Sequence, residues 1–151
     1  MVDRDDLNHY CNQYLSVSKF KDYCPNGLQV EGSQTINKIV SGVSANLDFI
    51  ELAIAEQADA IFVHHGIFWE NESNVIVGSK KKKIELLLKN EINLFAYHLP
   101  LDDHPEVGNN VQLGRALGIK NMKPVDSSLL WQGELNTDLK TFSSLIEKQL
   151  G

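Results

Sequence analysis

Long apolar runs are missing from this sequence. The longest stretches, such as Ile61 to Val63 and Leu86 to Leu88, are a few residues each. A membrane-spanning helix needs ~20 apolar residues, so none is expected. The start, Met1-Val2-Asp3-Arg4-Asp5-Asp6, is acidic and has no apolar centre, unlike a secretion signal. Cysteine is scarce. Cys11 and Cys24 cannot build a disulfide framework, and each reads as a small buried hydrophobe rather than a nucleophile. A reducing, cytoplasmic location is the expectation. Basic residues are outnumbered: 14 Lys and Arg stand against 20 Asp and Glu, a formal charge of −6. That balance argues against a nucleic-acid binder, which needs a basic face, and suits cationic partners, metal ions included. Phosphate-loop and dinucleotide glycine motifs are absent, as are a His-Glu-x-x-His helix and a Gly-x-Ser-x-Gly elbow around Ser41 or Ser44.

What is present alternates. With 151 residues the chain is long enough to bury a core without staples. Asp5–Leu15 reads as a helix, with Leu7, Tyr10, Cys11, Tyr14 and Leu15 at helical spacing. The segment from Asp22 to Gly32 carries the turn cluster Pro25-Asn26-Gly27, followed by a short strand at Leu28–Val30. Ile36–Val43 is a β-type run, and Asn46 is a suitable N-cap for a helix with Leu47, Ile50, Ala53 and Ile54 on one stripe. Ala60–Val63 has the continuous apolar character of a strand buried on both faces. Lys80–Asn90 reads as a helix with Ile84, Leu87 and Leu88 inward, Ile92–Tyr97 as a strand, and Val107–Leu117 as a helix ending at Gly118. Leu129–Leu135 then suggests a strand and Thr137–Leu150 a helix. The alternation predicts an α/β fold: a helix-covered, mainly parallel β-sheet.

The histidines concentrate where such a sheet binds ligands. Of five, four (His64, His65, His98 and His104) fall between positions 64 and 104, and His9 on the first helix reads as a surface residue. One β-run ends Val63-His64-His65-Gly66 and another ends Tyr97-His98-Leu99-Pro100-Leu101-Asp102-Asp103-His104. Ligands of open α/β sheets sit at the carboxyl ends of the strands. Neighbouring strands would therefore bring His64, His65, His98, Asp102 and His104 toward one volume. Successive strand residues face opposite ways, so the paired histidines share a site only if the strand ends and turns, with Gly66 supplying φ freedom. Pro100 is expected to stop the second strand and fix a turn. Imidazoles with a carboxylate suit Zn²⁺, Fe, Mn²⁺ or Ni²⁺. His98 reads equally as a ligand or as an acid/base residue, and His104 as an exposed turn residue. Phe68-Trp69 reads as packing. The four lysines Lys80–Lys83 read as a solvated helix start or as a phosphate site; cations there oppose the helix dipole.

Three stretches carry a family resemblance: Asp22-Tyr23-Cys24-Pro25-Asn26-Gly27-Leu28-Gln29-Val30-Glu31-Gly32, Val63-His64-His65-Gly66 with Phe68-Trp69, and His98-Leu99-Pro100-Leu101-Asp102. Together with Gly108-Asn109-Asn110 they resemble the YbgI-type dinuclear metal proteins, also called type 2 homologues of GTP cyclohydrolase I. The family includes the yeast factor that interacts with a transcriptional adaptor. The resemblance runs from about Leu7 through Leu150. It implies an α/β fold of two related halves in a toroidal hexamer with two internal divalent metals. Residues 1–125 would then form the metal-binding domain, and 126–151 the start of a second half. By motif match the ligands are His64, His65 and Asp102, with His98 lining the site as a catalytic or supporting residue.

The family completes its site with a His and a Glu near its carboxyl terminus, and no residue here matches them. The resemblance therefore implies the N-terminal part of a longer protein, or a shortened gene product, that holds metal weakly as one ion. The expected activity is a metal-dependent hydrolase acting on a nucleotide-like or other small substrate, the substrate itself being unknown. The alternatives are a non-catalytic metal-binding scaffold or protein-interaction module, and a plain α/β domain without metal.

Overall fold

The computed structural model describes residues 1–126 and 128–151. Two compact units are present, Met1–Pro100 and Leu101–Gly151.

The first unit is an α/β layer. Its elements are β1 (Val2–Asp3), α1 (Arg4–Tyr14), β2 (Gly27–Val30), β3 (Thr35–Ile36), β4 (Ile39–Ser44), α2 (Leu47–Ala55), β5 (Ala60–His65), α3 (Gly78–Lys89) and β6 (Asn93–Ala96). The main sheet has the order β2-β6-β5-β4. β4 runs parallel to β5 and β5 parallel to β6, whereas β2 is antiparallel to β6. The expected mainly parallel sheet is thus present, with one antiparallel edge. The helices start where the sequence offers caps. Asp3 accepts from the N–H groups of Asp5 and Asp6 at 2.9 and 3.2 Å, and Asn46 accepts from Phe49 at 2.8 Å. α2 and α3 cover one face of the sheet, where Ile61, Val63, Leu94 and Ala96 pack with Ile50, Ala53 and Leu87, all essentially inaccessible; on the other face Phe62 stacks on Phe95 and Tyr97.

Two expectations are corrected. The run Ile36–Val43 is not one strand. The N–H groups of Asn37 and Lys38 turn aside to Asp59 Oδ2 at 2.7 and 2.9 Å. That leaves Thr35–Ile36 to pair with β1 and Ile39–Ser44 to join the main sheet. On α3, Leu88 is exposed at 56%, while Leu86 packs against the core beside Ile84 and Leu87. The inward stripe therefore centres on Leu87 with Ile84 and Leu86 beside it, turned away from the expected Ile84, Leu87 and Leu88.

The second unit holds most of α4 (Leu99–Asp103), then α5 (Asn109–Ala116), β7 (Lys120–Pro124), β8 (Trp131–Glu134) and α6 (Leu139–Leu150). α5 closes as expected at Gly118, whose φ is +71°. The N–H of Ile119 reaches back to Gly114 O at 2.9 Å and that of Gly118 to Arg115 O at 3.0 Å, a Schellman-type end. β7 and β8 form an antiparallel pair, in which Pro124 lies opposite Trp131. Among the described residues, no helix is long and apolar enough to cross a membrane.

One buried polar residue ties the first unit together. Asn93, at the head of β6, is fully buried. Its amide donates to Ser33 O at 2.7 Å and Asp59 O at 3.1 Å, and its oxygen accepts from Gly32 N at 2.8 Å. Burying a polar side chain is tolerable only when its bonds are made, and here each bond also satisfies a loop backbone group. Replacing Asn93 by Ala is expected to cost about 2–4 kcal/mol, because Gly32 N and Ser33 O lose their side-chain partner, while Asp59 O keeps the backbone N–H of residue 93 at 3.0 Å. Urea unfolding measures this; a loss under about 1 kcal/mol would show that the clip is dispensable.

Candidate metal site

The carboxyl ends of β5 and β6 are neighbours because the two strands are parallel and in register from Ala60↔Asn93 to Val63↔Ala96. β2 is antiparallel to β6, with Gly27 opposite Ala96. The loop leading into β2 therefore arrives at the same end of the sheet. This topology delivers three segments to one place: His64-His65, Tyr97-His98 and the 22–26 loop.

The strand β5 runs through His65, so the expected strand ending before the histidine pair is corrected. What ends at Val63 is its pairing with β6. Tyr97 N donates to Val63 O at 3.0 Å, and beyond that point β5 is held on the β4 side only, with Ser44 opposite His65. The half-released end lets the rings of His64 and His65 approach to 4.5 Å between centroids. Gly66 does not take a left-handed φ as expected. Its role is space: a Cβ there would lie 2.1 Å from Gln29 Oε1. That same oxygen accepts from Ile67 N at 3.0 Å, while the Gln29 amide donates to Pro25 O at 2.8 Å. The turn after the histidines is thus locked onto β2.

His98 completes the cluster. Its ring lies 4.9 Å from that of His64 and 5.7 Å from that of His65. One ligand nitrogen from each histidine falls within 4.8 Å of the other two. All three rings are oriented through Nδ1. His64 Nδ1 donates to Tyr97 O at 3.0 Å, His65 Nδ1 hydrogen-bonds Ser44 Oγ at 2.9 Å, and His98 Nδ1 donates to Asp22 Oδ1 at 2.8 Å. Two of these partners, a carbonyl and a carboxylate, accept only. They fix the proton on Nδ1 and leave Nε2 as the nitrogen that carries the lone pair, the usual arrangement behind metal-binding histidines.

Asp22 has a side chain only 3% exposed. It accepts from Tyr23 N at 2.6 Å, Asn26 Nδ2 at 2.8 Å, His98 Nδ1 at 2.8 Å and Leu99 N at 2.9 Å. Burial pushes its pKa up. The hydrogen bonds from Asn26, His98, Leu99 and Tyr23 outweigh this and hold the carboxyl below its ordinary value. Asn26 also accepts the His98 backbone N–H at 2.7 Å. Cys24 joins Asp22 and His98 in a second close grouping. Its thiol is pushed up to about 12 by burial and by the neighbouring Asp22 charge. A thiol that stays protonated is a poor ligand, so the imidazole cluster is the better cation site. Its nitrogen donors fit a divalent transition metal or zinc. Trp69 borders it, with its ring 6.0 Å from His65 and edge-on to His98 at 5.2 Å.

The remaining predicted positions are also placed. Pro100 lies in the first turn of α4, where a missing N–H costs little, rather than fixing a non-helical turn. Asp102, in the second unit, accepts from Asn109 Nδ2 at 2.8 Å. Gly108 must be small, since a Cβ would lie 2.3 Å from His104 O, and Asn110 donates to Leu129 O at 2.9 Å. These contacts account for the Gly-Asn-Asn motif. His104 is half-buried rather than exposed, and its Nδ1 accepts from the N–H groups of Glu106 and Val107 at 3.2 Å. His9 is exposed and Cys24 buried, as expected, while Cys11 is half-buried. Sequence reasoning missed Asp22, Asn26 and Gln29 as supports of the site. All three lie in the Asp22–Gly32 stretch that carries the resemblance, but no local pattern ties that polar turn to histidines so far along the chain.

Comparison with known proteins points to one family. A family model described as Duf34/NIF3 (NGG1p interacting factor 3) matches residues 2–151. The chain is 51% identical over 137 residues to a "GTP cyclohydrolase 1 type 2 homolog" of Allochromatium vinosum, covering 89% of this chain and 54% of that protein. It is 50% identical over 151 residues to a protein of the same name from Haemophilus influenzae, covering 96% and 60%. The solved structure of protein ybgI superposes with a TM-score of 0.94 at 44% identity, over 99% of this chain and 61% of that one. Reduced HcgD from Methanocaldococcus jannaschii shares the fold at a TM-score of 0.84 and 23% identity, over 97% and 60%. The chain thus spans little more than half the length of the curated relatives it matches.

Asp22→Asn keeps the shape of the side chain but removes the charge behind His98. It is expected to weaken divalent-cation binding about 10–100-fold, the usual cost of losing such a support. Competition with a chromophoric chelator reads this out. Unchanged affinity would separate Asp22 from the site.

Proposed function

We propose that this chain, which belongs to the Duf34/NIF3 family, is the histidine-bearing part of a divalent-metal-dependent hydrolase acting on a nucleotide-like or other small substrate. The observation that carries the reading is the convergence of His64, His65 and His98, each oriented through Nδ1 by a partner of its own. His64 and His65 hold the cation, and the resemblance adds Asp102 as the acidic ligand. A bound Zn²⁺, Fe, Mn²⁺ or Ni²⁺ ion supplies Lewis acidity and lowers the pKa of a coordinated water to ~7. His98 then acts as the acid/base residue. Asp22 holds its Nδ1 proton, so Nε2 is the nitrogen that exchanges a proton with the reacting group, and the carboxylate stabilises the imidazolium that forms. Trp69 restricts water at the rim. The name GTP cyclohydrolase 1 type 2 homolog belongs to the relatives, and for this chain guanine nucleotides stand as one substrate class to test. Assembly into a hexamer and a cytoplasmic location belong to the same proposal.

A second reading is a metal-binding scaffold without turnover. The family description, an interacting factor, favours it.

The two readings part at His98. Elemental analysis of the purified chain is expected to find metal that His64→Ala removes. His98→Ala, supplied with metal in excess to offset the weaker binding that loss of this ring brings, is expected to carry metal and yet lose hydrolysis across a panel of nucleotides. Metal content at background, unchanged by His64→Ala, would defeat both readings; full metal with no hydrolysis in the wild type would favour the scaffold.

A further inference from the structure

The lysine run in α3 has a place in the structure that the metal cluster does not use. A pocket of about 180 Å³ opens between the turn after the histidines and the first turns of α3, lined by Gly66, Ile67, Trp69, Ser79, Lys80 and Lys83, with Glu72 also on its wall. It has room for about six waters, which suits a small anion with its hydration rather than a whole nucleoside. Trp69 is common to this pocket and to the histidine cluster.

Three independent features suit it to an anion. First, α3 begins without a side-chain cap and has no acidic residue in its first turn. Its leading N–H groups and positive dipole end are therefore uncompensated by the chain itself. Second, Lys80–Lys83 add cations to that same end, an arrangement that costs stability unless a negative group offsets it. Third, the two pocket lysines differ from their exposed neighbours. Lys81 and Lys82 are exposed, whereas Lys80 and Lys83 are half-buried. Lys80 is anchored, with its Nζ 5.2 Å above the Phe68 ring and donating to Ser73 O at 2.9 Å. Glu72 offsets one of the two charges and leaves the pocket net cationic.

We propose that this pocket binds the phosphate of a phosphorylated small molecule whose reacting end lies across Trp69 at the histidine cluster. Lys83 is the principal contact, and Lys80 with the first turn of α3 completes the cradle. The substrate part of this inference rests on the metal-site reading above; the anion site itself does not.

The test is an NMR titration of the metal-free chain with inorganic phosphate, then with a nucleoside monophosphate. Phosphate is expected to shift the amides of Gly66, Ser79 and Lys80 and to raise the thermal midpoint. Lys83→Gln is expected to weaken phosphate about tenfold, as loss of one charge-assisted contact does; Lys82→Gln should leave it unchanged. His64→Ala should also leave phosphate binding intact, so failure of the metal reading and failure of the anion site are distinguishable. The monophosphate should additionally perturb the Trp69 indole. If Lys83→Gln does not fold, Lys80→Gln and the wild-type chemical-shift map decide. Shifts confined to Lys81 and Lys82, equal loss in Lys82→Gln, or no binding overturn the anion site. Phosphate binding without any monophosphate effect at Trp69 overturns the substrate link.

Discussion

The carboxylate of Asp22 is the interaction on which the candidate site depends. A buried charge is costly unless nearly every lone pair is used, and Asp22 uses them on five donors from two segments, the Cys24 thiol among them. Tyr23, Cys24 and Asn26 come from its own loop; His98 and Leu99 come from the junction between β6 and α4. One side chain thus closes the loop, starts the α4 helix and sets the imidazole of His98. The antiparallel edge strand makes this possible. Were β2 parallel to β6, its leading loop would lie at the opposite end of the sheet, away from the histidines.

The same end of the sheet shows how a strand can present two adjacent histidines to one site. Alternation sends neighbouring strand residues to opposite faces, and β5 evades the rule by losing its β6 partner after Val63 while keeping its β4 partner at Ser44. The polar groups at this end of the sheet are put to use. Tyr97 O, just past the end of β6, accepts the His64 imidazole, and Ser44, at the end of β4, holds His65. Each of the three parallel strands therefore ends by orienting or supplying a ring.

Periodicity made the elements legible. The continuous apolar character of Ala60–Val63 followed from burial on both faces, and the caps at Asn46 and Gly118 lie where the sequence places them. The histidine clustering and the resemblance pointed to a candidate metal site, and three of the four histidines, His64, His65 and His98, converge there. What was not legible depended on partners distant in the chain. Asp59 splits the Ile36–Val43 run by capturing two N–H groups, Asn93 clips two loops, and Gln29 leaves Gly66 no room for a side chain. None of these has a local pattern. His104 reads as an exposed turn residue, yet it is half-buried and its Nδ1 accepts from the turn that follows it.

The central claim is that a cation here is held by imidazoles and not by the Cys24 thiol beside them. X-ray absorption at the zinc edge of the zinc-loaded chain tests it most directly. The account predicts a first shell of nitrogen and oxygen at ~2.0–2.1 Å with the outer-shell scattering of more than one imidazole. A zinc–sulfur distance near ~2.3 Å, or a shell without imidazole scattering, would contradict it.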